Sequence, residues 1–173
     1  YDVVVSDEDP FLGPKDAPLT IVEFYDLNCP YCKELYPTIR RLSVEYKDSV
    51  RFIFRDMPIL SRDSEILALA AECAHEQDRY WQFHDILLAQ PNDLSYTSLA
   101  GIVSRIGIDE KIFFACVDSQ KYSQEVNDDL QDGLKVGVDA TPTLYVNGNK
   151  VSGAIPYDIL KNIIETSLSS LNK

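Results

Sequence analysis

Leu19-Thr20-Ile21-Val22-Glu23-Phe24-Tyr25 is a nearly unbroken apolar run rich in β-branched and aromatic residues, and a helix signal begins only four residues beyond it. Such a run suits a strand buried on both faces, the habit of strands in sheets that carry helices on either side. Asp26-Leu27-Asn28 then reads as the turn. With Cys29 as the N-cap, Pro30 falls at the first helical position, where a missing N–H and a fixed φ do no harm.

The same junction carries the chemistry. Cys29-Pro30-Tyr31-Cys32 sets two thiols one helical turn apart, where they can close a disulfide and so hold or release two electrons. At the N-cap the Cys29 sulfur takes the place of a capping oxygen. The N–H groups of Tyr31 and Cys32 and the positive end of the helix dipole then favour its thiolate. Such a thiolate titrates below the ordinary value of about 8.5, which makes Cys29 the nucleophile and Cys32 the resolving thiol. Cys-x-x-Cys is also a common zinc spacing. Zinc needs two further ligands, and the remaining soft ligands are only His75, His84, Cys73 and Cys116, with no second Cys-x-x-Cys. Redox exchange is therefore preferred over metal, and no cofactor is expected.

The 173 residues fit one domain carrying a sizeable insertion. Sixteen basic against twenty-eight acidic residues give a net charge of −12, which repels phosphate backbones and argues against nucleic acid as a partner. No apolar stretch reaches the roughly eighteen residues of a membrane span. The start at Tyr1, with neither an initiator Met nor a basic leader, is expected of a processed chain from which any targeting or anchoring segment has been removed.

Val3 to Val5 reads as an edge strand, joined to the core strand through Pro10, Gly13, Pro14 and Pro18. The cysteine-bearing helix should run to about Tyr46 with Leu35, Ile39 and Leu42 buried, and Pro37 should kink it. Residues 50–55 form another strand, giving a β-α-β unit. From about Ser61 to Val136 only helical segments are legible, broken at Pro91-Asn92-Asp93, Gly107 and Asp118-Ser119. Strand character returns at Thr143-Leu144-Tyr145-Val146, followed by the hairpin signal Asn147-Gly148 and a short strand at 150–152. A last helix follows Pro156, with Ile159, Leu160, Ile163, Ile164, Leu168 and Leu171 as its core face.

This α/β order, with Ile21-Val22-Glu23-Phe24-Tyr25 before Cys29-Pro30-Tyr31-Cys32, Glu72-Cys73-Ala74, Trp81 and His84-Asp85 in the helical block, and Ala140-Thr141-Pro142-Thr143 after it, resembles the DsbA-like thiol–disulfide oxidoreductases. The resemblance implies a discontinuous thioredoxin-like domain (1–60 and 137–173) split by an inserted all-helical subdomain (61–136). It implies a cis Thr141–Pro142 peptide beside the cysteines, with the Thr141 backbone open to pairing with a substrate segment.

Glu23, six residues before Cys29, matches the buried acid of many thioredoxin-like proteins. Burial would raise its pKa and fit it to relay the Cys32 proton, whereas at a strand edge it would only reach solvent. Tyr31 stands where strongly oxidising members carry His; a neutral ring supplies no charge to the thiolate, so a less oxidising couple is expected. Cys73 and Cys116 face one helical core, either as inert buried thiols or, as in some DsbA-like relatives, as a structural disulfide; the disulfide is favoured.

His75, His84, Tyr36, Phe54 and Trp81 are read as structural. The implied activity is donation of the Cys29–Cys32 disulfide to reduced exported proteins. A DsbB-like or vitamin K epoxide reductase-like membrane partner would reoxidise an extracytoplasmic monomer. A disulfide reductase or isomerase is the nearest alternative, and a non-catalytic binding module a more distant one.

Overall fold

The computed structural model describes residue 3, residues 5–6 and residues 8–171. The apolar run becomes β2 (Leu19–Tyr25), fully buried except at Thr20. It lies at the centre of a five-stranded sheet. Parallel to it runs β3 (Val50–Asp56), in register from Leu19↔Val50 to Tyr25↔Asp56. On the other side β4 (Thr143–Val146) is antiparallel, with Glu23 opposite Leu144, and β5 (Asn149–Ser152) closes that edge. The opposite edge is β1 (Phe11–Leu12), antiparallel to β3, so the strand order is β1-β3-β2-β4-β5.

The edge position is thus taken later in the chain than expected. Residues 3 and 5 are not in a strand, and Val4 lies outside the described residues. Phe11 provides the reason: it pairs with Ile53, packs on the sheet and lies under the Arg51 guanidinium, 4.4 Å from its ring centre. Asn147 and Gly148 both have positive φ (47° and 79°), the geometry a two-residue hairpin demands and one that glycine adopts without cost.

The parallel β2–β3 pair needs a crossover, which α1 (Pro30–Glu45) supplies. It buries Cys32, Leu35, Ile39 and Leu42 and continues through Pro37 without ending. On the same face of the sheet, Ile21, Tyr25, Phe52, Phe54, Leu144 and Val146 join this core. The last helix, α7 (Tyr157–Leu171), also packs there through Leu160 and Ile164. Its buried stripe is narrower than expected, since Ile159 and Leu171 are exposed. Ile159 sits about 100° around the helix from Leu160, and Leu171 is the final helical residue.

Between β3 and β4 the chain is helical throughout: α2 (Arg62–His75), α3 (Tyr80–Leu88), a short 3₁₀ turn, α4 (Leu99–Val103), α5 (Glu110–Asp118) and α6 (Ser123–Lys135). Ser61 caps α2 through the Ser64 N–H and Asp109 caps α5 through the Ile112 N–H. A Cys73–Cys116 disulfide joins α2 to α5 across 43 positions; in the loop-entropy model a closure of that length contributes about 4 kcal/mol. His84 is buried against Tyr25, Phe54, Tyr80 and Trp81, with Nδ1 3.0 Å from Asp85. Burial lowers its pKa, so the ring is a neutral packing element.

The second face of the sheet, with Val22, Phe24, Ile53 and Tyr145, is covered by Leu130 of α6 and by Val136 and Val138. A side chain at Gly133 would put a carbon 2.8 Å from Met57 Sδ and 3.1 Å from the Phe24 ring, so only glycine lets α6 approach this closely.

Candidate active site

The end of β2 and the start of α1 are locked together by Asp26. Its N–H points at Cys32 Sγ (3.5 Å), its carbonyl accepts from the Cys29 N–H (2.9 Å), and its carboxylate accepts from the Asn28 N–H (2.9 Å) and the Leu60 N–H (3.2 Å). This is an Asx-turn feeding a helix, and Asp-x-Asn before an N-cap is a sequence signal for it. Cys29 caps α1 with extended backbone (φ −70°, ψ 122°) and Pro30 follows at the helix start.

Cys29 and Cys32 are both free thiols and both buried, with Cys29 3% exposed. Their environments drive them apart. The Cys29 thiol is pulled down to about 6, chiefly by the Cys32 thiol donating to its thiolate and then by the Thr141 side chain and the N–H groups of Cys32 and Tyr31, with burial opposing. Cys32 is pushed well above its ordinary value, first by burial, then by its bond to Cys29 and the charge of Glu23.

The sulfur does not act as a capping acceptor in this structure. A neutral thiol is a weak acceptor but can donate, and the Cys29 Sγ instead lies 3.2 Å from the Thr141 carbonyl oxygen. The Thr141–Pro142 peptide is cis. Thr141 Oγ1 is buried with no hydrogen-bond partner among the described residues, so its hydroxyl is free to turn toward the thiolate. From the sequence Thr141 reads only as a backbone element; the use of its hydroxyl depends on a contact across 112 positions and leaves no local signal.

Glu23 is buried on the α1 side of the sheet. Burial, and secondarily the Cys29 thiolate, raise its pKa to about 8. Its carboxyl has no hydrogen bond or ion pair to any described residue, so it holds its proton near neutrality and is not neutralised by a partner. Tyr31 points outward, 61% exposed, on the rim beside Cys29. Cys73 and Cys116 lie apart, within the helical block. A cleft of about 700 Å³ is lined by Glu72, His75, Trp81, Tyr122 and Glu125 among others and contains neither active-site thiol. Among the described residues no group of His, Cys, Asp and Glu could hold a metal ion.

Residues 5–166 match the family model described as Thioredoxin. Disulfide bond formation protein D of Bacillus subtilis is 30% identical over 92% of this chain and 77% of that protein. The Na(+)/H(+) antiporter NhaA 3 of Salinispora tropica is 35% identical over 88% of this chain but only 23% of its own length. The chain therefore spans about a quarter of the antiporters it matches. The thiol-disulfide exchange protein alpha-DsbA2 from Wolbachia pipientis superposes with a TM-score of 0.85 at 28% identity, covering 93% of this chain and 88% of that one. With a paired dithiol at a helix start, a thioredoxin sheet interrupted by helices and these relatives, the chain belongs to the thioredoxin-fold family of DsbA-like thiol–disulfide oxidoreductases.

Proposed function

We propose that this protein donates a Cys29–Cys32 disulfide to reduced exported proteins. The observation that carries the reading is the contrast between the two thiols, one lowered to about 6 and the other raised well above its ordinary value. In the oxidised protein a substrate thiolate attacks the Cys29 sulfur. The Cys29–Cys32 bond breaks, and Cys32 leaves with the electron pair and takes up a proton, which in this reading the buried Glu23 carboxyl relays. A second substrate thiolate then attacks the substrate sulfur of the mixed disulfide, and Cys29 departs as a stabilised thiolate. The substrate dithiol has been oxidised and the protein reduced, with the Thr141-Pro142 segment offering the backbone against which the substrate lies.

Reoxidation falls to a membrane partner of the DsbB or vitamin K epoxide reductase-like kind. An extracytoplasmic location, in the periplasm or at the outer face of the cytoplasmic membrane, is proposed here. Among the described residues no helix is long and apolar enough to cross a membrane. We further read residues 1–60 and 137–173 as the catalytic domain, 61–136 as an inserted helical subdomain, and the protein as a monomer.

Tyr31 favours a second reading, a reductase or isomerase, because a neutral residue between the cysteines lends the thiolate no charge. A glutathione titration of the dithiol separates the two. A potential less negative than about −200 mV supports the oxidase, and one near the thioredoxin value of about −270 mV overturns it in favour of a reductase. A couple that exchanges with glutathione at neither potential rejects both.

A further inference from the structure

Asn28, immediately before the nucleophile, is buried, and both ends of its side-chain amide are bonded. Its amide nitrogen donates to the Leu94 carbonyl (2.8 Å) and its amide oxygen accepts from the Leu94 N–H (2.9 Å), a two-bond clamp across 66 positions. The amide thereby imitates a strand partner for one residue of the loop between α3 and α4. One turn into α1, Lys33 Nζ donates to the Asn92 carbonyl of the same loop (2.8 Å). The ammonium of Lys33 feels Asp93, Asp26 and Cys29 as neighbouring negative groups, which puts the loop, the turn and the nucleophile within one electrostatic neighbourhood. Leu94 itself is buried in the core cluster that contains Cys29 and Cys32.

Buried side-chain amides that satisfy both polar groups of one backbone residue hold geometry, since losing one partner strands the other out of water. Nothing else among the described hydrogen bonds ties residues 91–95 to the active-site turn. The loop belongs to the helical block, while the turn belongs to the sheet.

We propose that Asn28 is a positioning residue, whose clamp on Leu94, seconded by Lys33 on Asn92, makes loop 91–95 a fixed wall of the surface that a protein substrate meets at Cys29. This rests on the thiol–disulfide exchange reading above and deepens it. A small dithiol needs only the sulfur, whereas a polypeptide must also fit what surrounds it. Releasing the wall therefore weakens the encounter with protein more than the exchange reaction itself.

The test compares the wild-type chain, Asn28→Ala, Lys33→Met and the double variant in oxidation of reduced, unfolded ribonuclease A and, in parallel, of dithiothreitol. For Asn28→Ala the ratio of kcat/KM on ribonuclease to the rate constant on dithiothreitol should fall at least threefold, with the loss in KM. Lys33→Met should move the ratio in the same direction, and the double variant should lose less than the product of the single losses, because both contacts hold one loop. Hydrogen exchange at the Leu94 amide should speed up at least tenfold in Asn28→Ala.

A ratio that falls less than threefold overturns the proposal whatever happens to the melting temperature, as does unchanged exchange at Leu94. Should Asn28→Ala fail to fold, Lys33→Met decides: Lys33 is half-buried and outside the core cluster, so its replacement leaves the core intact, and an unmoved ratio there also overturns the proposal. A wild-type protein that oxidises neither acceptor rejects the disulfide-donor reading, and exchange at Leu94 then still decides whether the clamp holds the loop.

Discussion

The Cys29 sulfur lies 3.2 Å from the carbonyl oxygen of Thr141, a residue 112 positions later in the chain. That contact is available to the neutral thiol only, because a thiolate has no proton to donate and is repelled by a carbonyl lone pair. Ionisation of Cys29 therefore releases the Thr141 carbonyl, the group proposed above to face a substrate backbone, and leaves the Thr141 hydroxyl and the N–H groups at the helix start as the donors that favour the thiolate.

Alkylation of the reduced protein by iodoacetamide should show this ionisation directly. The rate should rise with pH to a plateau with a midpoint near 6, where the Cys29 thiol is held, and mass spectrometry should place the label on Cys29. A midpoint near the ordinary thiol value of about 8.5, or first labelling at Cys32, contradicts the assignment of the nucleophile.

Glu23 should impose a pH-dependent cost on folding. Its carboxyl is raised to about 8 in the folded protein, against roughly 4.3 when unfolded. The folded state thus keeps a proton that the unfolded state releases. Stability is fully present below about pH 4 and declines until the folded carboxyl ionises near 8. Glu23→Gln removes that loss, so urea unfolding of the reduced variant at pH 8 should show a gain on the order of 5 kcal/mol. The same variant should slow protein oxidation by roughly tenfold or more if the carboxyl relays the Cys32 proton. Wild-type turnover in Glu23→Gln leaves only the structural effect.

Tyr31→His should make the couple more oxidising. Tyr31 is exposed at the rim, so an imidazole there can lend positive charge to the adjacent thiolate without a burial penalty. Glutathione equilibria of the two proteins side by side measure the difference, and a potential in Tyr31→His that is unchanged or more negative counts against redox tuning at this position.

A second set of buried acids should make the whole protein more stable at mildly acidic pH. Burial raises Asp129 to about 6 and Glu125 to about 7, and also raises Asp9 and Asp56, despite the Arg55 guanidinium bonded to Asp129. Each of these holds a proton in the folded state that it releases on unfolding near pH 4, so each contribution is present below that pH and lost as pH rises through the folded value. Surface carboxylates lowered by lysine partners, such as Asp132 and Glu76, act in the opposite sense, but their gain is complete by about pH 5. The melting temperature of the oxidised protein, in which the Cys29 thiol does not titrate, should therefore be higher at pH 5 than at pH 8 by several degrees, on the scale of about 2–4 °C per kcal/mol for a chain of this size. Equal values at the two pH settings would show that these carboxyls ionise as they do in water.

Much of the fold was legible because it is written over short spans. The apolar run at 19–25, the Cys29-Pro30 helix start, the strand beginning at Val50 and the Asn147-Gly148 hairpin each depend on periodicity, capping or turn chemistry within a few residues. The less legible features depend on what packs where. An edge strand goes to whichever segment can pair with β3, and Phe11 rather than Val3 or Val5 does so. Ile159 and Leu171 are apolar at helical spacing, yet the sheet covers only the stripe through Leu160 and Ile164.

Spacing and capping are local properties of the chain, and they alone set two cysteines one turn apart at the head of a helix behind a buried strand. Folding adds how different those two sulfurs are and what stands around them: the Thr141 hydroxyl, the buried carboxyl of Glu23, the Asp26 hub and the Asn28 clamp on Leu94. Desolvation and hydrogen bonding between groups 66 or 112 positions apart exist only once the chain has closed on itself, and these interactions turn a pair of thiols into a nucleophile and its partner.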